Sequence, residues 1–572
     1  MPSARLAAVA TLAAFAATAC APRVTRTSGD APYDVVIAGG KLVDGTGNPW
    51  RYADVALRGD RIARVAPAGA LASAPARTRV DARGLVVSPG FIDIQSHSWD
   101  ALLWQDGRVV GKVAQGVTTE ILGEATTPAP VNDAVMRLLE GDATDSTPHA
   151  LHQRFRGARG FGAWLDAMDR HPKSVNVGSY LGAATVRAYA KGQAIGPPSP
   201  AEIDTMKRVV ADAMKDGAFG VSSALIYPPG SYATTAELIA EAQAMAPYHG
   251  SYITHMRSEE DSLFEAMDEA FRIGREGGVP VIVYHLKAAG FRNWWKAPGM
   301  VAKIDSARRA GLDVTATMYP YPASSNGLAS CFPGWASENG RLLDNLRDAA
   351  TRARVVREMT DTTKGALELC QFAPQAVMAI GFTRPEYARL NGLRLPEIAQ
   401  ALGRSWADAV VDLTIAEQNR LAKITFGMDE KNVAMQLRRP WVMIGSDAGG
   451  YDPDSARGLT HPRAYGTFVR VLGKYVREDS VLTLEDAVRR MTSLTAERLG
   501  LRDRGMVREG AFADVVVFDP VTVADRATYT QPHQLAAGVR DVFVNGVAVW
   551  RDGRHTNATP GRAVRGPGWT GR

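Results

Sequence analysis

Three of the chain's ten histidines, His97, His255 and His285, each follow a short apolar, β-branched run, in GFIDIQSH, GSYITHMR and PVIVYHLK. Glu124 and Asp447 close two further runs of the same kind, GVTTEILGE and PWVMIGSD. Imidazole and carboxylate together are the ligand chemistry of Zn2+ and similar divalent ions. A carboxylate beside such an ion can also move protons during hydrolysis. One histidine at a strand end is ordinarily structural. Three of them, with two acids, make a site only if the fold gathers separate strand ends at one place.

The elements required for that gathering are legible. Eight strand candidates, VVSPGFIDIQSH, GVTTEILGE, SVNVGSYLG, GAFGVSSALIY, GSYITHMR, PVIVYHLK, DVTATMYPY and PWVMIGSD, are interleaved with helical periodicity, as in AEIDTMKRVVADAMKDG and SLFEAMDEAFRIGREGG. Eight β-α units predict an α/β fold, a parallel (β/α)8 TIM-like barrel over residues 89–505, whose strand C-termini share one mouth. The gap from the seventh to the eighth strand, about 323–439, is longer than one helix needs and predicts an inserted helical lid subdomain. Short strand-like runs at 33–88 and 506–556 predict a small β-sandwich built from both chain ends. The Gly/Arg-rich residues 557–572 read as a loose tail.

Composition narrows the classes. The 572 residues are 46% hydrophobic and 22% charged, which excludes wholesale disorder. Lys and Arg number 66 against 60 acids, with no basic run, so nucleic acid is not an expected partner. Three cysteines exclude a disulfide scaffold, and Cys331 and Cys370 are left open as paired or free. The N-terminus, MPSARLAAVATLAAFAATAC, has one basic residue, an apolar run too short to span a membrane, and small residues before Cys20. Residues 1–19 read as an export signal, and Ala17-Thr18-Ala19-Cys20 resembles a bacterial lipoprotein box. That predicts lipidation of Cys20, a tether over 20–32, and a mature chain held in the periplasm or at the outer membrane; a plain secretory signal is the alternative.

Longer motifs carry a resemblance. QGVTTEILGE, GAFGVSSALIYPPGSYA, YITHMRSE, VIVYHLKAAG, MYPYPASS, HPRAYGTFVRVLGKYVRE and DRGMVREGAFADVVVFDP together resemble the amidohydrolase superfamily, and within it the D-aminoacylase (N-acyl-D-amino-acid deacylase) branch, from about Tyr33 to Gly553. The resemblance implies one tightly bound Zn2+ with His255 and His285 as ligands. Glu124 stands at the place of the family's cysteine ligand, with Glu120 the weaker substitute. The family's His-x-His pair is Gln95-Ser96-His97 here, so a second site of His97, Asp447 and Gln95 is expected to be weak or empty. Ala183 or Ala184, in LGAATVR, replaces a histidine the family often carries.

By the same resemblance Asp447 is the general base and then the general acid. Lys287, Tyr319, Ser325 and Arg463 would grip a substrate carboxylate, Arg463 as a bidentate fork. Arg257 adds to that grip or pairs with Glu259, and His461 shapes the loop presenting Arg463. The remaining histidines, His149, His152, His171, His249, His533 and His555, are expected at the surface. The implied activity is metal-dependent hydrolysis of the amide bond of N-acyl-D-amino acids or D-dipeptides. The partner would be a small acylated amino acid or dipeptide, with membrane contact only through the lipid. Two alternatives stay open: the same chemistry on an N-acyl-L-amino acid, dipeptide or exogenous amide, and a non-catalytic lipid-anchored binding protein.

Overall fold

The computed structural model describes residues 32–140, 147–363 and 369–571. The expected export signal, Cys20 and all but the last residue of the tether lie outside the described residues. Among the described residues no helix is long and apolar enough to cross a membrane.

Eight parallel strands form the barrel: Phe91–Asp93, Val117–Leu122, Asn176–Ser179 resuming as Leu181–Gly182, Gly220–Ala224, Ser251–His255, Val281–Val283, Val314–Met318 and Val442–Ile444. The third strand is interrupted at Tyr180; its first part pairs with the second strand and its second part with the fourth. The ring closes between the eighth and first strands just past their ends. There Asp447 N donates to Gln95 O at 2.8 Å and His97 N to Ala448 O at 3.1 Å. Runs such as VIV and VTATM are buried throughout, as expected of a parallel sheet covered on both faces.

The helices outside the barrel follow from local chemistry. The helix Pro200–Asp216 begins at a capping box of Ser199 and Glu202 with proline in its first turn, and ends at Gly217, whose φ of 108° is left-handed. Met206, Val209, Val210, Ala213 and Met214 give it one apolar stripe, and that stripe is buried.

Both chain ends contribute to one nine-stranded sheet. They meet where Val86–Pro89 pairs antiparallel with Val515–Phe518. Val515 and Val517 join a core with Val35, Ile37, Val55 and Phe543, whereas Val516 and Phe518 belong to the barrel core. The period-two alternation of a single strand thus fastens the module to the barrel.

Two parts differ from the sequence expectation. The insertion is not purely helical: Ser324–Gly327, Ala422–Thr425 and Val377–Ile380 form a three-stranded antiparallel sheet. Helices that include Ala349–Thr360 and Trp406–Ala416 pack with it around Leu346, Val355, Ile398 and Val410. Cys331 and Cys370 are bonded to each other within this subdomain. The C-terminal tail is not loose. Gly561 N donates to Lys173 O, Val177 N to Arg562 O and Val564 N to Val177 O, at 2.7–2.9 Å, and Val564 is buried. The glycines that suggested looseness permit this docking, because a Cβ on Gly561 or Gly566 would strike the backbone of Val175 or Ala218.

Candidate active site

The C-terminal ends of the barrel strands line a cavity of about 400 Å3 that contains His97, Glu124, His255, His285, Lys287, Tyr319, Asp447 and Arg463, with Ser325 from the insertion. The backbone is bent sharply there. Ala125, His285 and Asp447 all have positive φ, at 62°, 32° and 51°. Such conformations cost of order 1–3 kcal/mol each and persist only where the surroundings impose them. Around Glu124 the constraint is visible. Ala184 N donates to Ala125 O at 3.0 Å, and a Cβ on Gly182 would collide with that same carbonyl. Ala183 and Ala184 therefore begin a helix that backs the Glu124 loop.

Glu124 is the hub. Its Oε1 lies 3.4 Å from His255 Nδ1 and 3.3 Å from His285 Nε2. Its Oε2 lies 2.7 Å from Gln95 Nε2 and 3.4 Å from His97 Nε2. Burial alone would raise the Glu124 carboxyl, but hydrogen bonds from His255, His285 and His97 hold it well below its ordinary range. Two triads share this residue: Glu124, His255 and His285, and His97, Glu124 and Asp447.

The first triad fits a metal. Zn–ligand bonds of about 2.0–2.1 Å in a tetrahedral shell put neighbouring donors about 3.3 Å apart. The two donor separations around Glu124 Oε1 match that spacing. The outer contact also fits: His285 Nδ1 lies 2.9 Å from Glu259 Oε1, and in the tautomer that gives the Nδ1 proton to this carboxylate Nε2 is free as a ligand, the Lys287 ammonium then donating to Glu259 Oε1 and not to Nδ1. In the sequence Glu259 enters only as a possible partner of Arg257; its position four residues after His255 is the only signal of this role, and a faint one. Thr317 was missed as well. It accepts from His285 N at 2.8 Å and donates to Gln95 Oε1 at 3.0 Å.

Asp447 faces this triad from the eighth strand. Its Oδ1 is 3.0 Å from His97 Nε2 and its Oδ2 is 2.8 Å from Arg463 Nη1. Burial would raise its carboxyl, but the Arg463 guanidinium and His97 hold it below the usual range. Arg463 is itself fixed by its Nη2 donating to Ser325 O at 3.0 Å and by Tyr319, whose ring centroid is 4.5 Å from the guanidinium carbon. His461 Nδ1 accepts from Arg463 N, and His461 Nε2 donates to Ala323 O, both at 3.0 Å. Burial and the neighbouring Arg463 push the His461 pKa well down, so the ring is neutral in that role.

The remaining cationic candidates separate. Lys287 lines the cavity, but its ammonium lies 2.6 Å from Glu259 Oε1 and 2.7 Å from His285 Nδ1. Arg257 does not reach the cavity. It forms a fork on Glu269 at 2.9 Å and donates to Ser231 O and Ala233 O. The expectation that Arg257 binds substrate or pairs with Glu259 is therefore corrected. The strand ends at His255, so the period-two rule that would aim Arg257 inward no longer applies there. Glu120 lies beneath the site, fully buried and bonded to Ser96 and Ser98, and belongs to neither triad.

Among the described residues four buried side-chain atoms in the cavity have no hydrogen-bond partner: the Tyr319 hydroxyl, His255 Nε2, and Arg463 Nε and Nη1. Nη1 is ion-paired with Asp447 Oδ2 at 2.8 Å, and His255 Nε2 lies 3.5 Å from Glu259 Oε2. An unpaired buried donor is costly, and the Tyr319 hydroxyl and Arg463 Nε, which have no such neighbour, belong to the lining of a space sized for a small ligand.

The model of the Amidohydrolase family matches residues 78–550. The chain is 37% identical to a D-aminoacylase of Alcaligenes xylosoxydans xylosoxydans, covering 93% of this chain and 98% of that one. It is 36% identical to an N-acyl-D-glutamate deacylase of the same organism, covering 93% and 96%. Among solved structures it resembles an N-acyl-D-glutamate deacylase from Bordetella bronchiseptica complexed with zinc and a phosphonate inhibitor that mimics the tetrahedral intermediate. That match has a TM-score of 0.75 and 34% identity, and covers 94% of this chain and 100% of that one. A D-aminoacylase structure described by its binuclear metal centre, with one-metal activation and second-metal attenuation, gives a TM-score of 0.76 at 37% identity, with 94% and 100% covered.

Proposed function

The chain belongs to the amidohydrolase family, and from that premise we propose that it is a zinc-dependent deacylase of N-acyl-D-amino acids. It would release the free D-amino acid and a carboxylic acid. The observation that carries this reading is the placing of Glu124 Oε1 at 3.4 and 3.3 Å from His255 Nδ1 and His285 Nε2, in one cavity with Asp447.

Glu124, His255 and His285 would hold one tight zinc ion. Bound there, zinc supplies polarisation of the scissile carbonyl and a lowered pKa for a water molecule. Asp447, whose Oδ1 faces His97 and whose Oδ2 faces Arg463, takes the proton of the attacking water and returns it to the leaving amine nitrogen. The first transfer makes the carboxylic acid that the second transfer needs. The substrate carboxylate docks against the unpaired Tyr319 hydroxyl and Arg463 Nε, with Ser325 and the Lys287 charge beside them. Glu259 meanwhile keeps the His285 ring oriented.

A panel of N-acetyl amino acids of both hands, assayed with metal content measured alongside, tests this. D-substrate turnover should vanish on chelation and return with zinc. Equal rates on both hands would remove the D-specific part, and protein purified without chelator that holds no metal would remove the whole reading.

The mature chain is further proposed to work outside the cytoplasm, anchored by lipid at Cys20. The support is the short apolar run and the Ala17-Thr18-Ala19-Cys20 box. Cys20→Ser should move the protein from the membrane to the soluble fraction; retention at the membrane would overturn the anchor.

A further inference from the structure

The two triads share one carboxylate, so the side chain that controls Glu124 decides how many ions the mouth can hold. Gln95 is that side chain. It is buried, and its backbone is pinned because Gln95 O accepts from Asp447 N at 2.8 Å. Its amide can face only one way. A carboxylate only accepts, so the atom 2.7 Å from Glu124 Oε2 must be the Nε2 donor. The opposite end agrees: Thr317 accepts the His285 amide proton and donates its own to Gln95 Oε1 at 3.0 Å.

This divides Glu124 between two uses. Oε1 is left to face His255 and His285, whereas Oε2 is taken by an N–H. The second triad, His97, Glu124 and Asp447, therefore has a donor already aimed at one of its three ligands. A guanidinium lies against another, since Arg463 Nη1 is 2.8 Å from Asp447 Oδ2. A cation entering there would have to share Glu124 Oε2 with an N–H and sit close to a fixed positive charge.

We propose that Gln95 is a positioning residue that limits this chain to one metal ion, its amide holding Glu124 Oε2 so that Oε1 is aimed at the two histidines. The inference rests on the zinc-dependent reading and deepens it. Its consequence is a difference from the D-aminoacylase described by a binuclear centre with second-metal attenuation: excess zinc should not slow this chain through a second ion in that triad.

The test titrates the chelator-stripped full chain with Zn2+, counting bound ions by elemental analysis, and repeats the titration with Co2+ followed by its visible absorption. The parent should saturate at one ion, with turnover unchanged by further zinc. Gln95→His, which exchanges the donor for a ligand, should take up a second ion. Gln95→Leu, which offers neither, should keep one ion but bind it about ten- to a hundred-fold more weakly, as expected when an outer contact to a metal ligand is lost. Two ions in the parent, or unchanged affinity in Gln95→Leu, would overturn the proposal. If the parent binds no ion and hydrolyses no amide, the deacylase reading falls and this inference with it. If one ion binds and substrate is hydrolysed while both variants behave as the parent, only the role of Gln95 falls.

Discussion

Asp447 carries the proton transfers, and its neighbours make the claim sharp. One oxygen meets His97 at 3.0 Å and the other meets Arg463 at 2.8 Å. Asparagine at this position keeps the volume and one accepting oxygen but cannot take a proton. Asp447 is also absent from the triad of Glu124, His255 and His285. Asp447→Asn should therefore lower kcat by about a hundred- to ten-thousand-fold, the ordinary worth of general acid–base catalysis, while bound zinc stays at the parent level. Kinetics and elemental analysis on the same preparation decide it, and a near-normal kcat would take Asp447 out of the mechanism. The residues at strand ends were readable because a barrel sends every strand end to one mouth, whatever the distance along the chain. Glu259, Thr317 and the true partner of Arg257 were not. Glu259 and Arg257 lie beyond the end of their strand, where side-chain direction is set by the loop. Thr317 acts through a hydroxyl that carries no distinguishing mark in VTATMYPY.

Between residue and molecule stands the closure of the barrel. The short helix Val110–Val113 sends Lys112, with no exposed side-chain surface, under the site. Its ammonium donates to Asp93 Oδ2 and Ser446 Oγ at 2.6 Å and to Ala448 O at 2.7 Å. Asp93 ends the first strand, and Ser446 and Ala448 flank Asp447, whose φ of 51° needs an external hold. One buried cation thus ties the first strand to the eighth directly beneath the carboxylate that moves protons. Lys112→Met should cost about 3–5 kcal/mol, because Asp93 is left charged and without its cation. Adding Asp93→Asn should restore part of that stability but not kcat, since the Ala448 carbonyl has lost its charged donor and is held by longer contacts such as those from His97 N and Ser446 Oγ. Urea denaturation with steady-state kinetics separates the two effects; a single variant as stable as the parent would show that the clamp is not a stabilising element. The barrel strands themselves were legible as short β-branched runs. The strands of the insertion were not, because a segment such as SSNG is four residues long, polar and without alternation.

At the scale of the whole molecule, the described residues toward both ends of the chain are structural. The N-terminal strands cannot complete their sheet without Val515–Phe518, and the final residues close the barrel at the end away from the site. The sequence shows the first arrangement, because strand-like runs at both ends need partners. It hides the second, because glycine and arginine describe a loose tail and a docked one equally well until the neighbouring backbone is known. The docking is specific. Asn176 Oδ1 accepts from Arg562 N at 3.2 Å and from Asn545 Nδ2 at 2.8 Å, so one side chain joins the tail, the third barrel strand and the terminal sheet. Lys173 and Gly217, which also accept from the tail, precede the third and fourth strands, at the face opposite the catalytic mouth. Removing residues 557–572 would expose the core beside Val564 and free five backbone hydrogen bonds, each worth about 1 kcal/mol. The truncated protein should melt several degrees lower in a thermal scan, with KM and kcat at low temperature unchanged, because no tail residue lines the cavity. A truncation that altered KM while leaving Tm in place would mean that the tail acts on the mouth rather than on the floor of the barrel.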